Sequence, residues 1–324
     1  MSTSLVTGGA GFLGSHLVEA LLATGERVIV LDDLSTGSLD NLARTASHPS
    51  LRIVEGSIAD HALVSRLVAE SDDVYHLAAA VGVKLVVDDP VRTATTNFGP
   101  TEHLLRILAG TKKRIFFAST SEVYGKNPKS PLSEEDDLVL GPTSKWRWIY
   151  ACGKAMDEYL ALGYHGRSGL RVIVGRFFNI VGPRQTGRYG MVVPSFIDQA
   201  LAGQPLVVHG DGQQVRCFGH VSDAIRATLA LMNHPAAEGK VFNIGSDKPI
   251  SIRGLAELVQ QEVNPQVPIE QVPYDAVFGA GFEDIRQRVP DLTKIHQAVG
   301  YRPRYSVAEI VRDVTDWKRV NAKK

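Results

Sequence analysis

Apolar residues in this chain fall into short unbroken runs separated by stretches of helical period, and the alternation begins at once. Leu5-Val6-Thr7 has the length of a buried strand, and Leu17, Val18, Leu21 and Leu22 then recur at helical spacing up to Gly25, a natural helix stop. Val28-Ile29-Val30-Leu31 is the next apolar run and closes on Asp32-Asp33. The same rhythm predicts strands over 52–54, 74–77, 114–118 and 170–174, with helices over 61–70, 91–109 and from Tyr150 to about 164. Runs without polar alternation belong to strands covered on both faces, as in a parallel sheet sandwiched between helices. The expected fold class is therefore α/β, a Rossmann-type doubly wound parallel sheet with a smaller α/β C-terminal substrate-binding portion. Past Gly182 the texture changes, with helices expected over 193–201, 224–232, 252–261 and 307–318 and short strands over 206–208 and 241–244. Residues 1–181 are read as one domain and 182–324 as a smaller portion that exchanges segments with it.

Composition narrows the class of protein without choosing a function. The 324 residues can bury a sizeable core, and 44% hydrophobic with 22% charged residues is the balance of an ordinary globular chain. Thirty-five basic residues offset thirty-five acidic ones, so bulk charge supplies no case for nucleic acid or an anionic membrane. The two cysteines, Cys152 and Cys217, form neither a disulfide framework nor a metal cluster, and His209 and His220 have no metal-ligand spacing with other candidates. With no signal-peptide pattern and no membrane-length apolar run, the expected compartment is the cytoplasm.

The chemistry starts at the first turn. Gly9-x-Gly11-x-x-Gly14 joins a strand to a helix, which lets backbone approach a pyrophosphate at a helix N-terminus. Asp32 lies at the end of the second strand, where a carboxylate takes ribose hydroxyls and repels a 2′-phosphate, so NAD is the expected dinucleotide. Ala78, Ala79 and Ala80 come after the fourth strand as small residues beside which a cofactor can lie. Tyr150 and Lys154 share a helix face at i, i+4, a pairing that a nearby cation would turn into a proton acceptor. Chance supplies about 0.4 such pairs in a chain of this composition, so the pair matters only in its setting. That setting is Ser119-Thr120-Ser121-Glu122, delivered at the C-terminal end of a strand, where doubly wound sheets bind ligands.

Thr7-Gly8-x-x-Gly11-x-x-Gly14, Asp32, His76-Leu77-Ala78-Ala79 and Tyr150-x-x-x-Lys154 together resemble the extended short-chain dehydrogenase/reductase family, in particular its nucleotide-sugar epimerases, dehydratases and decarboxylases. Arg176-Phe177-Phe178-Asn179, Gly210-Asp211-Gly212 with Arg216, Phe242-Asn243-Ile244-Gly245 and Asp291 after Arg288-Val289-Pro290 extend the resemblance over nearly the whole chain. It implies an enzyme that oxidises a sugar 4-hydroxyl and works through a 4-ketone. Tyr150 would take the hydroxyl proton, Lys154 would hold the nicotinamide ribose and lower the Tyr150 pKa, and Thr120 would orient the hydroxyl. Gly8, Gly11, Phe12, Leu13, Gly14, Asp32, Ile58, Leu77, Ala78 and Ala79 would line the NAD site with Tyr150 and Lys154. Ser57 stands where relatives often carry an Asp before Ile58, which weakens the adenine contact. Lys84, Thr120, Arg147, Asn179, Arg184, Val193, Arg216, Arg288 and Asp291 would hold a nucleotide sugar, with UDP the family's usual carrier and a homodimer its usual assembly.

The fate of the ketone separates the activities. Ser119-Thr120-Ser121-Glu122-Val123-Tyr124-Gly125 resembles nucleotide-glucuronate decarboxylases, as do Lys145-Trp146-Arg147-Trp148-Ile149-Tyr150 and the stretch around 278–284 leading to Arg288. By that likeness Ser121, Glu122 and Arg288 serve the loss of carbon dioxide. Residues 182–187, 191–194 and 81–84 read more like 4-epimerases, and Thr120-Ser121-Glu122 also fits a 4,6-dehydratase. The leading expectation is a UDP-glucuronate (hexuronate) decarboxylase, with a UDP-sugar 4-epimerase and a nucleotide-sugar 4,6-dehydratase as alternatives and a non-catalytic dinucleotide-sensing regulator as the alternative of another class. Blander readings stand beside these. Glu122 can serve as an acceptor for loop N–H groups, Arg216 and Arg288 as salt-bridge partners, Trp146 and Trp148 as core, and Glu134-Glu135-Asp136-Asp137 as a solvated loop.

Overall fold

The computed structural model describes residues 1–79, 89–187, 190–278 and 285–321. Seven parallel strands form the central sheet: β1 (Thr3–Thr7), β2 (Arg27–Asp32), β3 (Leu51–Glu55), β4 (Asp73–His76), β5 (Arg114–Thr120) and β6 (Arg171–Phe177), joined late in the chain by Lys240–Ile244. In space they run from Lys240–Ile244 through β6, β5, β4, β1 and β2 to β3. The order reverses between β1 and β4, and the C-terminal strand ends around that switch point are where ligands bind in such sheets. The apolar runs explain the strands directly: β1 is buried at all five positions, and β5 and β6 bury most of theirs.

Four helices complete the first half: α1 (Phe12–Ala23), α2 (His61–Ala69), α3 (Pro90–Leu108) and α4 (Ile149–Ser168). Leu17, Val18, Leu21 and Leu22 of α1 pack with Val28 and Val30 over one sheet face. Val64, Leu67, Leu104, Leu105 and Ala161, on α2, α3 and α4, cover the other with Ile115, Phe117, Val172 and Val174. Helix α4 runs past the expected end near 164 because nothing stops it before Gly169, which takes φ +71° and closes it in the left-handed conformation.

Beyond residue 180 come β7 (Ile180–Val181), α5 (Val192–Leu201), β8 (Leu206–His209), β9 (Val215–Cys217), β10 (Gly219–His220), α6 (Val221–Met232), β11 (Lys240–Ile244), β12 (Pro249–Ser251), α7 (Ile252–Val263), β13 (Ile269–Val272), α8 (Tyr274–Phe278), β14 (Gln287–Arg288), α9 (Thr293–Val299) and α10 (Val307–Asn321). Residues of α5, α7 and α10 close a separate core around Phe196, Ile197, Leu255, Val259, Ile310 and Val314. Helix α6 and β11 return to the large sheet, where Ala224, Leu231 and Phe242 join the α1 core. Of the short pairs β7–β10, β8–β13 and β12–β9–β14, only β8 was expected from the sequence, the others being too brief, and β14 against β9 sets Arg288 beside Arg216.

The acidic run 134–137 is a correction to the expectation of a solvated loop. Glu134 is buried, and its Oε1 accepts the backbone N–H of Asn243 at 2.7 Å. Burial raises its pKa, against the pull of that hydrogen bond. Glu135 and Asp137 are exposed, Glu135 pairing with Lys294, while the largely covered Asp136 pairs with Lys129 and accepts the Ser133 N–H at 2.9 Å. Of Trp146 and Trp148, the second is core and the first exposed.

Candidate active site

The glycine turn is shaped by close approach. A Cβ on Gly14 would lie 2.0 Å from the Gly8 carbonyl oxygen, and one on Gly8, already at φ +72°, would lie 2.8 Å from the Ala78 nitrogen. Only hydrogen side chains let the turn fold under the N-terminus of α1 and against the residues after β4. Gly11 caps α1 without a side-chain hydrogen bond, so the helix presents its first N–H groups to whatever lies above the turn. Asp32 closes β2 with Oδ2 accepting Ala10 N–H and Oδ1 accepting Leu34 N–H, both at 2.9 Å. Burial raises its pKa, while those two bonds favour the carboxylate. An uncapped helix start, a cradle that a Cβ would fill and a carboxylate with spare lone pairs fit the pyrophosphate and ribose of a dinucleotide.

Leu77 and Ala78 are tied to the turn: Leu77 N–H donates to Thr7 O at 3.1 Å and Ala78 N–H to the Thr7 hydroxyl at 3.4 Å. His76 bridges the Thr7 and Thr101 hydroxyls at 2.7 and 3.1 Å, linking β1, β4 and α3. Its pKa falls to about 3, first from complete burial and then from the Lys154 charge, so it is a neutral strut. Ala79 comes next in the same segment, and Ile58, after β3, packs on the core behind the sheet edge.

Thr120, Ser121, Glu122, Arg147, Tyr150, Asn179, Val193, Arg216 and Arg288 line one cavity of about 440 Å³, with Phe12 and Leu13 from the N-terminus of α1 in its wall. Glu122 and Arg288, 166 residues apart in the chain, meet here because β5, α4, β9 and β14 all converge on it. Thr120 is the last residue of β5, and its Oγ1 accepts Glu122 N–H at 3.2 Å at the start of a single 3₁₀ turn over Ser121–Tyr124. Tyr150 lies in the first turn of α4, and Lys154 one turn later donates to Ala118 O at 3.1 Å with its ammonium 4.5 Å from the Phe117 ring centroid. The Tyr150 phenol lies above its ordinary pKa, raised by burial first and then by the charges of Glu122 and Asp157. The physical reason is burial of both partners, which also lowers Lys154 against the support of Asp157 and Glu158.

The most unusual part of the cavity is its cationic wall. Arg147 Nη1 meets Glu122 Oε2 at 3.1 Å, while Arg288 Nη1 donates to Glu122 Oε1 and, at 3.3 Å, to Ser121 Oγ. Burial alone would raise the Glu122 carboxyl, but Arg288, Arg147 and Arg216 together pull it down to about 2. It is therefore a fixed anion in a site with three guanidiniums. Arg147 also lies 5.2 Å from the Trp148 ring centroid, which gives that indole a use beyond packing.

Two predicted substrate residues stand elsewhere. Arg184, at φ +71°, pairs with Glu19 of α1, and Asp291 uses Oδ1 to accept Thr293 N–H at 2.8 Å at the start of α9; neither lines the cavity. Lys84 and residues 279–284 lie outside the described residues. Asn179 does line it, at φ +41°, with Nδ2 donating to Cys217 O at 3.0 Å. Conversely, Gln185, inside the epimerase-like stretch 182–187, lines the cavity without having been singled out, as do Gln214 and Tyr274, which no motif marks. Gln214 donates to His209 O at 3.0 Å and to the Tyr274 hydroxyl at 2.7 Å, with its Oε1 buried and unbonded.

The chain matches the family model for GDP-mannose 4,6 dehydratase over residues 5–314. It is 42% identical to a UDP-N-acetyl-alpha-D-glucosaminuronate decarboxylase of Bacillus cytotoxicus, covering 97% of each chain. It is 35% identical to UDP-glucuronic acid decarboxylase 1 of Arabidopsis thaliana, covering 97% of this chain and 69% of that one. Among solved structures, the UDP-glucose 4-epimerase of Thermotoga maritima with UDP-glucose superposes with a TM-score of 0.88 at 30% identity over 99% of both chains. The dTDP-glucose 4,6-dehydratase DesIV of Streptomyces venezuelae, solved with NAD bound, gives a TM-score of 0.88 at 30% identity over 99% of this chain and 98% of that one.

Proposed function

Because the chain belongs to the extended short-chain dehydrogenase/reductase family, in its GDP-mannose 4,6-dehydratase-like branch of NAD-dependent nucleotide-sugar enzymes, we propose that it decarboxylates a UDP-hexuronate through a 4-keto intermediate. The observation that carries this reading is the arginine cluster of the cavity. Among the described residues, Arg147, Arg216 and Arg288 gather around Glu122 in its wall. Guanidinium forks at a cavity wall match the oxygens of carboxylates and phosphates. A UDP-hexuronate brings a diphosphate and a carboxylate, whereas a neutral UDP-hexose brings the diphosphate alone.

We assign Gly8, Gly11, Gly14, Phe12, Leu13, Asp32, Ile58, Leu77, Ala78 and Ala79 to the cofactor, with residues 1–181 as the NAD-binding domain and 182–324 as the sugar-nucleotide portion that lends β11 and α6 back to it. NAD, when bound, accepts hydride from the sugar C4 and returns it. Tyr150 takes the 4-hydroxyl proton while Thr120 holds that hydroxyl by a hydrogen bond. With C4 a ketone, the C5 carboxylate is that of a β-keto acid. Arg288 holds it by charge-assisted hydrogen bonds, Arg147 stands on the other side of Glu122, and Arg216 takes diphosphate oxygens. When carbon dioxide leaves, the C5–C6 bonding pair becomes an enolate whose oxygen lies against Thr120 and Tyr150. C5 then gains a proton from the Arg288–Ser121 side.

Glu122 weighs against the 4,6-dehydratase reading. Arg288 engages its Oε1 and Arg147 its Oε2, so it stands as their counter-ion and not as a free base for the C5 proton. Incubation with UDP-glucuronate and with its 2-acetamido analogue, followed by NMR for product and by carbon dioxide release, tests the assignment. A UDP-pentose from either substrate is expected. A UDP-galacturonate product of unchanged mass would overturn decarboxylation in favour of 4-epimerisation.

We further infer a homodimer built on α3 and α4. Val91 and Phe98 of α3 and Met156 and Tyr159 of α4 are exposed apolar residues on two helices that pack together. Sedimentation at micromolar concentration should give about 70 kDa from a 35.2 kDa chain. No helix among the described residues is long and apolar enough to cross a membrane. We place the enzyme in the cytoplasm, where two unpaired cysteines are stable.

A further inference from the structure

The Phe242-Asn243-Ile244-Gly245 motif begins on β11, outside the cavity wall, and the reaction as proposed gives it no task. Asn243 is completely buried, and both ends of its carboxamide are engaged. Nδ2 donates to Leu132 O at 2.9 Å and to Asp291 O at 3.2 Å, and Oδ1 accepts the Tyr124 hydroxyl at 2.8 Å. Its backbone N–H goes to Glu134 Oε1 at 2.7 Å. Two carbonyl oxygens face Nδ2, so a reversed amide would set oxygen against oxygen and lose both bonds.

The partners matter for where they lie in the chain. Tyr124 ends the 3₁₀ turn that carries Ser121 and Glu122. Asp291 follows shortly after Arg288 of β14, and Leu132 ties down the same segment, its N–H donating to Val289 O and its carbonyl accepting Asp291 N–H, both at 2.8 Å. One carboxamide thus clasps the two segments that meet in the cavity as the Glu122–Arg288 ion pair, with Ser121 Oγ 3.3 Å from Arg288 Nη1. The strand under Arg288 offers little anchorage of its own, since β14 pairs with β9 only through Gln287 and Arg288. The groups for oxidation at C4 are moored differently. Thr120 ends β5 in register with Phe177 of β6, and Lys154 on α4 donates to Ala118 O of β5.

We propose that Asn243 is a positioning residue for the second half of the reaction: through Tyr124 and Asp291 it holds Arg288 in register with Ser121 and Glu122, while oxidation at C4 does not depend on it. The proposal rests on the decarboxylase reading, in which Arg288 holds the substrate carboxylate and the Arg288–Ser121 side protonates C5. Groups that must meet a reacting atom lose much of their effect when displaced by an ångström. A buried amide with all its bonds made is suited to prevent that, because any slip of either segment leaves a buried polar group unpaired.

The test is single-turnover kinetics of the full NAD-loaded enzyme with UDP-glucuronate and with its 2-acetamido analogue, as wild type, Tyr124→Phe and Asn243→Ser. Absorbance at 340 nm follows reduction of the cofactor, and carbon dioxide release follows the later step. Tyr124→Phe is the milder variant, since it removes one hydroxyl and keeps the ring that lies 4.7 Å from the Arg176 guanidinium. In it the 340 nm rise should stay within about twofold of wild type while carbon dioxide release slows by roughly 10- to 100-fold, so that reduced cofactor accumulates. Asn243→Ser should show the same split more strongly. In Tyr124→Phe, two rates that fall together, as a general loss of fold would give, or two rates that do not change, overturn the positioning role and leave the decarboxylase standing. A wild-type enzyme that releases no carbon dioxide from either substrate overturns the reading beneath it and the proposal with it.

Discussion

Replacing Glu122 by Gln isolates the arginine cluster, because the side chain keeps its shape and loses only its charge. The carboxyl sits at about 2 against an ordinary 4.5. Each tenfold in proton affinity is worth about 1.4 kcal/mol, so the cluster favours the ionised form by about 3 kcal/mol. Glu122→Gln should therefore cost the free enzyme about 3 kcal/mol at pH 7.5, read by equilibrium urea unfolding, or lower Tm by roughly 4 °C in a chain of this length. The pH dependence supplies the sharper check. A carboxyl with a depressed folded pKa stabilises fully above its unfolded value, near 4.5, and the contribution fades as pH falls toward 2. The gap between wild type and variant should be constant from pH 6 to 8 and shrink by roughly 40% by pH 3.5. A substrate carboxylate can replace the missing charge, so UDP-glucuronate should stabilise the variant more than the wild type. Equal stabilities at pH 7.5, or a gap that does not narrow in acid, would refute the description of Glu122 as the anion that holds Arg147 and Arg288.

Tyr150→Phe should lower kcat by 10²- to 10⁴-fold with little change in substrate KM, since it removes only the proton transfer; stopped-flow detection of the reduced cofactor at 340 nm would show whether oxidation at C4 is the step lost. Arg288→Met should reduce kcat/KM for UDP-glucuronate by roughly 30- to 1,000-fold, as expected for a charge-assisted pair worth about 2–4 kcal/mol, and a loss below threefold would remove Arg288 from the carboxylate. Gly14→Ala places a Cβ where the Gly8 carbonyl oxygen lies 2.0 Å away, so NAD affinity measured by calorimetry should fall at least 100-fold. Glu158→Gln leaves the Arg176 guanidinium buried without its carboxylate and should cost about 3–5 kcal/mol in urea unfolding.

Legibility in the sequence tracked the range of the interactions. The glycine turn, Asp32 and the Tyr150/Lys154 pair are local, each needing only one strand–helix junction or one helical turn, and spacing alone places them. The longer strands of the main sheet were legible because strands buried on both faces are written as apolar runs, while helix ends slipped by a few residues, α4 running on to Gly169 and α10 to Asn321. Glu134 was not legible because its environment comes from Asn243, 109 residues away. Arg184 and Asp291 had motif context, yet their side chains answer to Glu19 and to the start of α9, which no spacing records.

By itself the sequence determined that this chain folds as a doubly wound sheet, makes a tight glycine turn at its first strand–helix junction and carries Tyr150 and Lys154 one turn apart on the helix after the fifth strand. The tertiary structure decided what surrounds that pair. The parallel pairing of β9 with β14 puts Arg216 and Arg288 side by side, and the turn after β5 brings Glu122 between Arg288 and Arg147. The same burial that desolvates these charges raises Tyr150, while the guanidiniums it gathers hold Glu122 ionised. Desolvation depends on everything packed around a group and not on its neighbours in the chain, so the protonation states in this cavity could be read only once the fold had closed over it.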